Sequence, residues 1–472
     1  MDNSSFRHWA VHAAEWAADY RASLADRPVR AQSAPGAVAA QLPRQAPETA
    51  EDMRAIFADF ERIILPGITH WQHPRFFAYF PANASPVSVV AEILVSAMAA
   101  QCMLWQTSPA ATELETVVLQ WLRQALGLPE GFHGVIQDSA SSATLAAILT
   151  MRERALGFAG NREGLAAHPK VRIYASAQAH SSIDKAVWIA GVGQDNLVKI
   201  PTAGPASAMD VEALEAAITR DLAAGMLPAG IVACVGGTSI GAIDDVAGVA
   251  AVARRHGLYV HVDAAWAGAA MICPEFRPFW AGIESADSLV VNPHKWLGAQ
   301  FDCSAHFVRD PEALVRTLGI QPDYLKTHGR EGIINYSEWS VPLGRRFRAL
   351  KLWFLLRGHG MEGLRSMIRD HVRWSQELAR RLDAEPGFSL VTPPVLSLFT
   401  FRHDPGDGRD LDAHNLALVS SINDDGQLYL TQTRVDGRVA IRFQVGSMAT
   451  TEEDVALAFD VIRDLALRQA AT

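Results

Sequence analysis

An α/β fold built on a mainly parallel sheet is predicted by three observations. From Ser108 onward, short apolar strands alternate with amphipathic helices, the pattern of βαβ units with helices on both faces of a sheet. Two of these strands run directly into small hydroxyl or histidine clusters, Ser139-Ala140-Ser141 and His180-Ser181-Ser182. Two later ones, Leu258 to Val262 and Ser288 to Val291, lead to Asp263 and to Asn292-Pro293-His294-Lys295-Trp296. Ligands of open α/β sheets bind outside the carboxyl ends of the strands, so chemistry is expected on this rim.

The 472-residue length suits about three domains, and a net charge of −9 argues against nucleic acid or an anionic membrane as partner. Cys102, Cys234, Cys273 and Cys303 are widely spaced, so neither a metal site nor a disulfide framework is expected, and a reducing cytoplasm fits. The first residues lack the apolar core of a signal peptide. The longest apolar run, Val87 to Leu104, is broken by Glu92 and Gln101.

Phe6, Trp9, Ala13, Trp16 and Tyr20 recur at intervals of three and four, which predicts a helix with one aromatic face. A proline-punctuated arm from Arg27 to Glu48 follows. A second helix is then expected, capped by Thr49 with Asp52, with Met53, Ile56, Phe57, Phe60, Ile63 and Ile64 on one face and Pro66-Gly67 at its end. These pieces make no core alone. Thr69 to Pro86 is an aromatic-dense loop containing Trp71, Phe76, Phe77, Tyr79 and Phe80, for which plain packing is the default.

The helix after Ser108 places Leu114, Val117, Val118, Trp121 and Leu122 on one side and stops at Gly127. Ser139-Ala140-Ser141 then opens a helix. Its free backbone N–H groups suit a phosphate, although serine is an ordinary N-cap anywhere. Val171 to Ala186 reads as a buried-type strand leading to His180-Ser181-Ser182 and then a helix; further strands are expected at Leu197 to Ile200 and Gly230 to Val235, with helices from Asp210 and near Asp245. Beyond Lys295, the polar stretch around Pro322-Asp323-Tyr324 reads as a loop of the kind that covers a site. The C-terminal part should hold strands at Phe388 to Val391, Leu396 to Phe401, Leu428 to Thr431 and Val439 to Phe443, and a last helix capped by Thr450 with Glu453.

Asp263 and Lys295 carry the chemistry. A lysine desolvated at a strand end loses proton affinity and becomes a nucleophile able to form a Schiff base. An aspartate facing a pyridine nitrogen keeps it protonated. An ion pair tying the two strands together is the equally weighted alternative for these two residues alone. His261 shares a strand face with Asp263, either to orient the carboxylate or as a satisfied core histidine.

HVDAAWAG, NPHKWLG and FDCS together resemble the group II pyridoxal-phosphate decarboxylases, specifically the aromatic-L-amino-acid decarboxylase family. The resemblance runs from Phe6 to the last helix. It implies the aspartate-aminotransferase-like fold of PLP fold type I in three parts. These are an N-terminal helical dimerisation segment (1–85), a large PLP-binding domain (86–360) and a small α+β C-terminal domain (361–472). It also implies a homodimer with active sites at the interface. By resemblance Lys295 is the Schiff-base lysine, Asp263 the partner of the pyridine nitrogen, and His180 the residue stacked on the ring and touching substrate. Ala140, Ser141, Thr238, Asn292 and His294 contact the cofactor. Trp71, Tyr79, Phe80, Pro81, Ala82, Gln101 and Met103 match the substrate pocket, and Arg442 matches an arginine near the site. Tyr324 matches the tyrosine that returns a proton to the substrate carbon after CO2 leaves.

The activity implied is decarboxylation of an aromatic L-amino acid of the Phe/Trp/Tyr/DOPA class to its arylalkylamine. The alternatives are aldehyde synthesis by decarboxylation with oxidative deamination, which goes with phenylalanine in place of Tyr324, and a non-catalytic cofactor-binding protein. The chain departs from the animal enzymes at Ala82, where they carry threonine, and at Gln101-Cys102-Met103, where they carry Ile-Gly-Phe. Asp138 replaces a glycine and Gly237 a threonine. Gly344 stands where relatives divide between glycine and serine, and glycine leans toward larger rings. Ala82, Gln101 and Met103 point to Phe or Trp rather than DOPA.

Overall fold

The computed structural model describes residues 1–320 and 332–471 and falls into two compact units. The larger comprises Ala82–Arg373 with Thr392–Phe399; the other comprises Met1–Pro81, Trp374–Val391 and Thr400–Thr472.

The larger unit is organised on seven strands: β1 (His133–Gln137), β2 (Val171–Ser176), β3 (Leu197–Ile200), β4 (Leu227–Cys234), β5 (Tyr259–Asp263), β6 (Ser288–Val291) and β7 (Ser304–Val308). Their order across the sheet is β1-β7-β6-β5-β4-β2-β3. From β6 to β3 every neighbouring pair is parallel, as the alternation of strands and helices predicts. β7 is antiparallel to both β6 and β1, since the Asn292–Cys303 link from β6 is too short for a parallel crossover. β5, β6 and β7 are buried at every residue, because helices cover both faces of such a sheet. One lateral row of the sheet runs Cys234, Asp263, Val290, which places the ends of β4, β5 and β6 side by side.

The N-terminal aromatic stripe does form a helix, α1 (Asn3–Ala22), capped by Asp2, whose carboxylate accepts the Ser5 N–H. Trp9 stacks on Phe57 and Trp16 packs edge-on to Phe60, both from the next helix, α2 (Met53–Asp59), and its continuation. No residue of α1 is fully buried, and Phe6 stays exposed. α2 begins later than expected: Asp52, not Thr49, is the cap, accepting the Arg54 N–H. α3 (Pro86–Met98) is capped by Ser85, and α4 (Pro109–Leu126) ends at Gly127 in the left-handed region, φ 76°. The buried face of α4 is Ala111, Thr112, Glu115, Val118, Leu119, Leu122 and Leu126. Val117 and Trp121, expected on that face, are exposed. The reason is Glu115, a charged residue that the apolar pattern excluded and the structure buries.

Glu115 accepts two donors, the Arg345 guanidinium at 2.6 Å and the Ile136 N–H of β1 at 2.8 Å. Arg345 also donates to the Ile136 carbonyl. The pair, 2% and 3% exposed, therefore ties α4, β1 and the segment just before the helix Arg348–Ala384.

The four strands of the second sheet are β8 (Phe388–Val395), β9 (Leu398–His403), β10 (Thr431–Val435) and β11 (Arg438–Gln444), in the order β8-β9-β11-β10. β10 lies beyond the expected Leu428 to Thr431; Leu428 and Leu430 are buried, but the ladder with β11 starts at Thr431. The last helix, Glu452–Ala470, has its capping box on Thr451 and Asp454, one residue later than expected. Thr450 is instead turned inward, where its hydroxyl donates to the Pro74 carbonyl.

Removing one partner of a buried pair strands the other charge, at a cost of about 3–5 kcal/mol. Glu115→Ala is therefore expected to lower unfolding stability by that amount in denaturant titrations, whereas a loss under about 1 kcal/mol, typical of a surface pair, would contradict the burial described.

Candidate active site

Lys295 reaches the interior through an irregular piece of backbone. β6 ends at Val291, and after Asn292 a single π-helical turn, Pro293–Leu297, follows and closes on Gly298 at φ 91°. Such turns redirect side chains and are common at functional sites. Three bonds pin this one. The Lys295 N–H donates to the Asn292 carbonyl at 2.9 Å, the Asn83 amide donates to the Lys295 carbonyl at 2.7 Å, and the Ser304 hydroxyl donates to the Asn292 side chain at 2.5 Å. Burial of the amine lowers its pKa, against the opposing field of Asp263. Asp263, 8% exposed at the end of β5, is held by the Ala265 N–H at 3.0 Å. The two groups do not close into an ion pair, so the strand-tying alternative fails; they face a shared cavity. His261 is a core residue: fully buried, with Nδ1 2.7 Å from the Ser288 hydroxyl.

The cavity, about 690 Å³ with its open mouth, is lined by both of these residues and by Ala140, Ser141, His180, Thr238, Asn292 and His294. All eight residues expected at the cofactor are thus brought together. α5 (Ala140–Ala155) points its N-terminus at the cavity. Ser139 is an ordinary N-cap, since its hydroxyl accepts the Ser142 N–H. The Ala140 and Ser141 N–H groups, which no helical carbonyl can serve, remain for an anion. Asp138 does not line the cavity, and its carboxylate accepts the Ser139 hydroxyl.

Both histidines are oriented by backbone. His180 Nδ1 accepts the Ser182 N–H at 3.1 Å, and burial, then the Lys295 charge, lowers its pKa while Asp263 opposes. His294 Nδ1 accepts the Cys303 N–H at 3.0 Å, and burial holds it at about 3. Gly236 closes the floor at φ +89°: a Cβ there would lie 2.4 Å from the Ala267 Cβ and against the Trp266 ring. Gly237 is tight too, with a Cβ only 3.0 Å from that of Ala242, so the threonine-to-glycine departure suits its surroundings.

Sequence reasoning missed Cys234, Trp266, Ser182 and Phe301 in the lining. It also missed Asp244, 1% exposed, which accepts the Cys234 and Met209 N–H groups and the Ser176 hydroxyl and so fixes the end of β4. Only the acidic pair after the glycine turn, Asp244-Asp245, could have signalled it.

The substrate-side expectations divide. Trp71, Tyr79, Phe80 and Pro81 belong to the smaller unit, and Ala82 begins the larger one. Trp71 stacks on Phe76 at 4.7 Å and on Tyr79 at 5.9 Å. Tyr79 holds a left-handed φ of 47°, and its carbonyl accepts from buried Arg442. Gln101 accepts the Arg345 N–H at 2.7 Å and lies beside Gly344, where a Cβ would sit 3.2 Å from its amide. Neither Gln101 nor Met103 lines the Lys295 cavity. Tyr324 lies outside the described residues.

An aromatic ring bearing a phosphate and a carbonyl fits this arrangement. The α5 N-terminus could hold the phosphate, the Asp263 carboxylate a ring N–H, and the Lys295 amine the carbonyl. Comparison with known proteins agrees. The family described as pyridoxal-dependent decarboxylase conserved domain matches residues 35–404. Phenylacetaldehyde synthase of Arabidopsis thaliana is 38% identical over 98% of this chain and 96% of its own. Aromatic-L-amino-acid decarboxylase of Rattus norvegicus is 39% identical over 99% and 98%. The crystal structure of Oryza sativa TDC with PLP and tryptamine superposes with a TM-score of 0.96 at 34% identity, over 99% of each chain.

Because its pKa is lowered, Lys295 should react with an amine-specific reagent with a pH midpoint below the free-lysine value of about 10.4. Asp263→Asn removes the charge that opposes this shift, so the midpoint should fall further. Peptide mass spectrometry of the labelled apoenzyme measures both; a midpoint that rises in the variant would contradict the assigned electrostatics.

Proposed function

The chain belongs to the pyridoxal-dependent decarboxylases, and from that membership we propose that it converts an aromatic L-amino acid to the arylalkylamine and CO2. It is a pyridoxal-phosphate-dependent carboxy-lyase. The observation that carries the proposal is the delivery of Asp263 and Lys295, by neighbouring parallel strands, to one cavity that also receives the N-terminus of α5.

Pyridoxal phosphate bound here supplies an electron sink for the pair released as the carboxylate leaves. Lys295 is the amine that would hold the cofactor's carbonyl group, and desolvation, which lowers its pKa, favours the neutral form that such a bond needs. Asp263 keeps a proton at the ring nitrogen. Ala140 and Ser141 anchor the phosphate through their N–H groups, with Thr238, Asn292 and His294 as further contacts. His180 faces the substrate, and Tyr324 returns the proton to Cα.

Trp71, Tyr79, Phe80, Pro81, Ala82, Gln101 and Met103 form the ring pocket in this reading. The small Ala82 and the Gly344 next to Gln101 support Phe or Trp over DOPA. The similarity to tryptophan decarboxylase 2 of rice, 38% identical over 99% of this chain, supports the same class. Aldehyde synthesis is the second reading, favoured by the likeness to the Arabidopsis phenylacetaldehyde synthase. Tyr324 speaks against it.

The domain division 1–85, 86–360 and 361–472 and a homodimer with interfacial sites belong to the same proposal. On α3, Val90, Ile93, Leu94 and Met98 are each exposed, at spacings of three, one and four residues; such a helix face is an interface when a second copy covers it. All four cysteines are free and buried, and among the described residues no helix is long and apolar enough to cross a membrane, which suits the cytoplasm.

Incubation of the cofactor-loaded protein with Phe, Tyr, Trp, DOPA and His separately, read by mass spectrometry, is expected to give amines without peroxide, with Phe or Trp turned over better than DOPA. Tyr324→Phe should divert product to aldehyde with ammonia and peroxide. Aldehyde from the unaltered protein, or DOPA as the best substrate, would count against the assignment. For the dimer, Ile93→Glu is expected to convert a dimer to a monomer in sedimentation; a wild-type monomer would refute it.

A further inference from the structure

We propose that Ser182 is a positioning residue that fixes the tautomer of His180, so that this imidazole meets the substrate as a neutral Nε2–H donor and never as a base. The inference rests on the decarboxylase reading for the identity of the substrate, but not for the state of the ring. Ser182 is the first residue of the helix Ser182–Ile189, and its N–H has no helical carbonyl to serve. That N–H donates to His180 Nδ1 at 3.1 Å, and the Ser182 hydroxyl lies 2.9 Å from the same nitrogen. A backbone N–H cannot accept. Nδ1 is therefore the acceptor, the hydroxyl turns to donate to it as well, and the single proton of the neutral ring sits on Nε2.

Base catalysis is closed from both sides. Nε2 already carries its hydrogen, and a second proton on Nδ1 would set N–H against the Ser182 N–H and forfeit that bond, while the hydroxyl would have to give up its donation to the ring. The groups whose fields reach the ring act in both directions: Asp263 and Asp184 favour a charged imidazole, Lys295 opposes it, and burial, the largest effect, opposes it too. His294 supplies an internal parallel, since its Nδ1 accepts the Cys303 N–H and it too presents Nε2. The core residue His261 is a contrast, because its Nδ1 meets only the Ser288 hydroxyl, which can donate or accept. Within the cavity both imidazoles are thus set as donors, suited to an anionic group such as the amino-acid carboxylate.

The test is the protonation state of His180 by nitrogen NMR of the 15N-histidine-labelled full-length apoenzyme and holoenzyme, with His180→Gln to assign the signals. Expected are a protonated Nε2 and a bare Nδ1 in both forms, persisting below the free-histidine midpoint of about 6.5. Ser182→Ala keeps the N–H but loses the hydroxyl, so the His180 midpoint, and with it the acid limb of kcat/KM, should move up by about 0.5–1 pH unit. Ser182→Thr should restore it. A proton on Nδ1, a charged ring at pH 7, or an unmoved midpoint in Ser182→Ala would overturn the proposal. The apoenzyme spectra decide it whether or not amine is formed, so failure of the substrate assignment shows separately in the turnover assay.

Discussion

The desolvation of the Lys295 amine, on a partly exposed side chain in the wall of the cavity, is the constraint on which the rest of this structure depends. An ammonium loses much of its hydration energy inside a protein, and the least costly response is to shed its proton. The fold turns that cost into reactivity. Asp263 stays close enough to moderate the shift and too far to cancel it by pairing. Holding the amine there requires the fully buried strands on either side, the π-turn, the Gly298 reversal and the Asn83 and Asn292 bonds, because each backbone group taken out of water needs a partner.

Around the amine, the polar groups of the cavity are oriented chiefly by main chain. Ser182 and Cys303 set the imidazoles, Ala265 sets Asp263, and Ser139 closes the cap while leaving the next N–H groups of α5 for a phosphate. Asp244 does the same from beneath, fixing the end of β4 with two backbone bonds. Main-chain donors do not swing as side chains do, which is what preorganisation for charge development requires. The glycine floor is the steric counterpart: only an absent Cβ lets Gly236 pass under Ala267 and Trp266.

Much of this was legible in the sequence because its causes are local. Asp210 and Asp245 cap the helices they precede, and the strands before Asp263 and Asn292 are continuous apolar runs. The eight residues that the family resemblance placed at the cofactor line one cavity because strand ends and helix starts converge on one rim in this architecture. What was not legible depended on distant partners. Glu115 is a core residue only because Arg345, far along the chain, neutralises it, and so the apolar pattern named Val117 and Trp121 instead. Asp52 and Thr451 outcompete the neighbouring caps Thr49 and Thr450, and in the latter case the reason is the Pro74 carbonyl, which claims the Thr450 hydroxyl. Asp244 shows in the sequence only as half of the Asp244-Asp245 pair, and its three partners Met209, Cys234 and Ser176 are all distant.

The most direct test of the central claim is to reduce the cofactor-loaded protein with borohydride and map the modified peptide by mass spectrometry. A single pyridoxyl adduct on Lys295, absent in Lys295→Ala, is the result this account predicts. An adduct on another lysine, or none in a protein that binds the cofactor, would contradict it, because the buried amine would then not be the group that the fold is built to present.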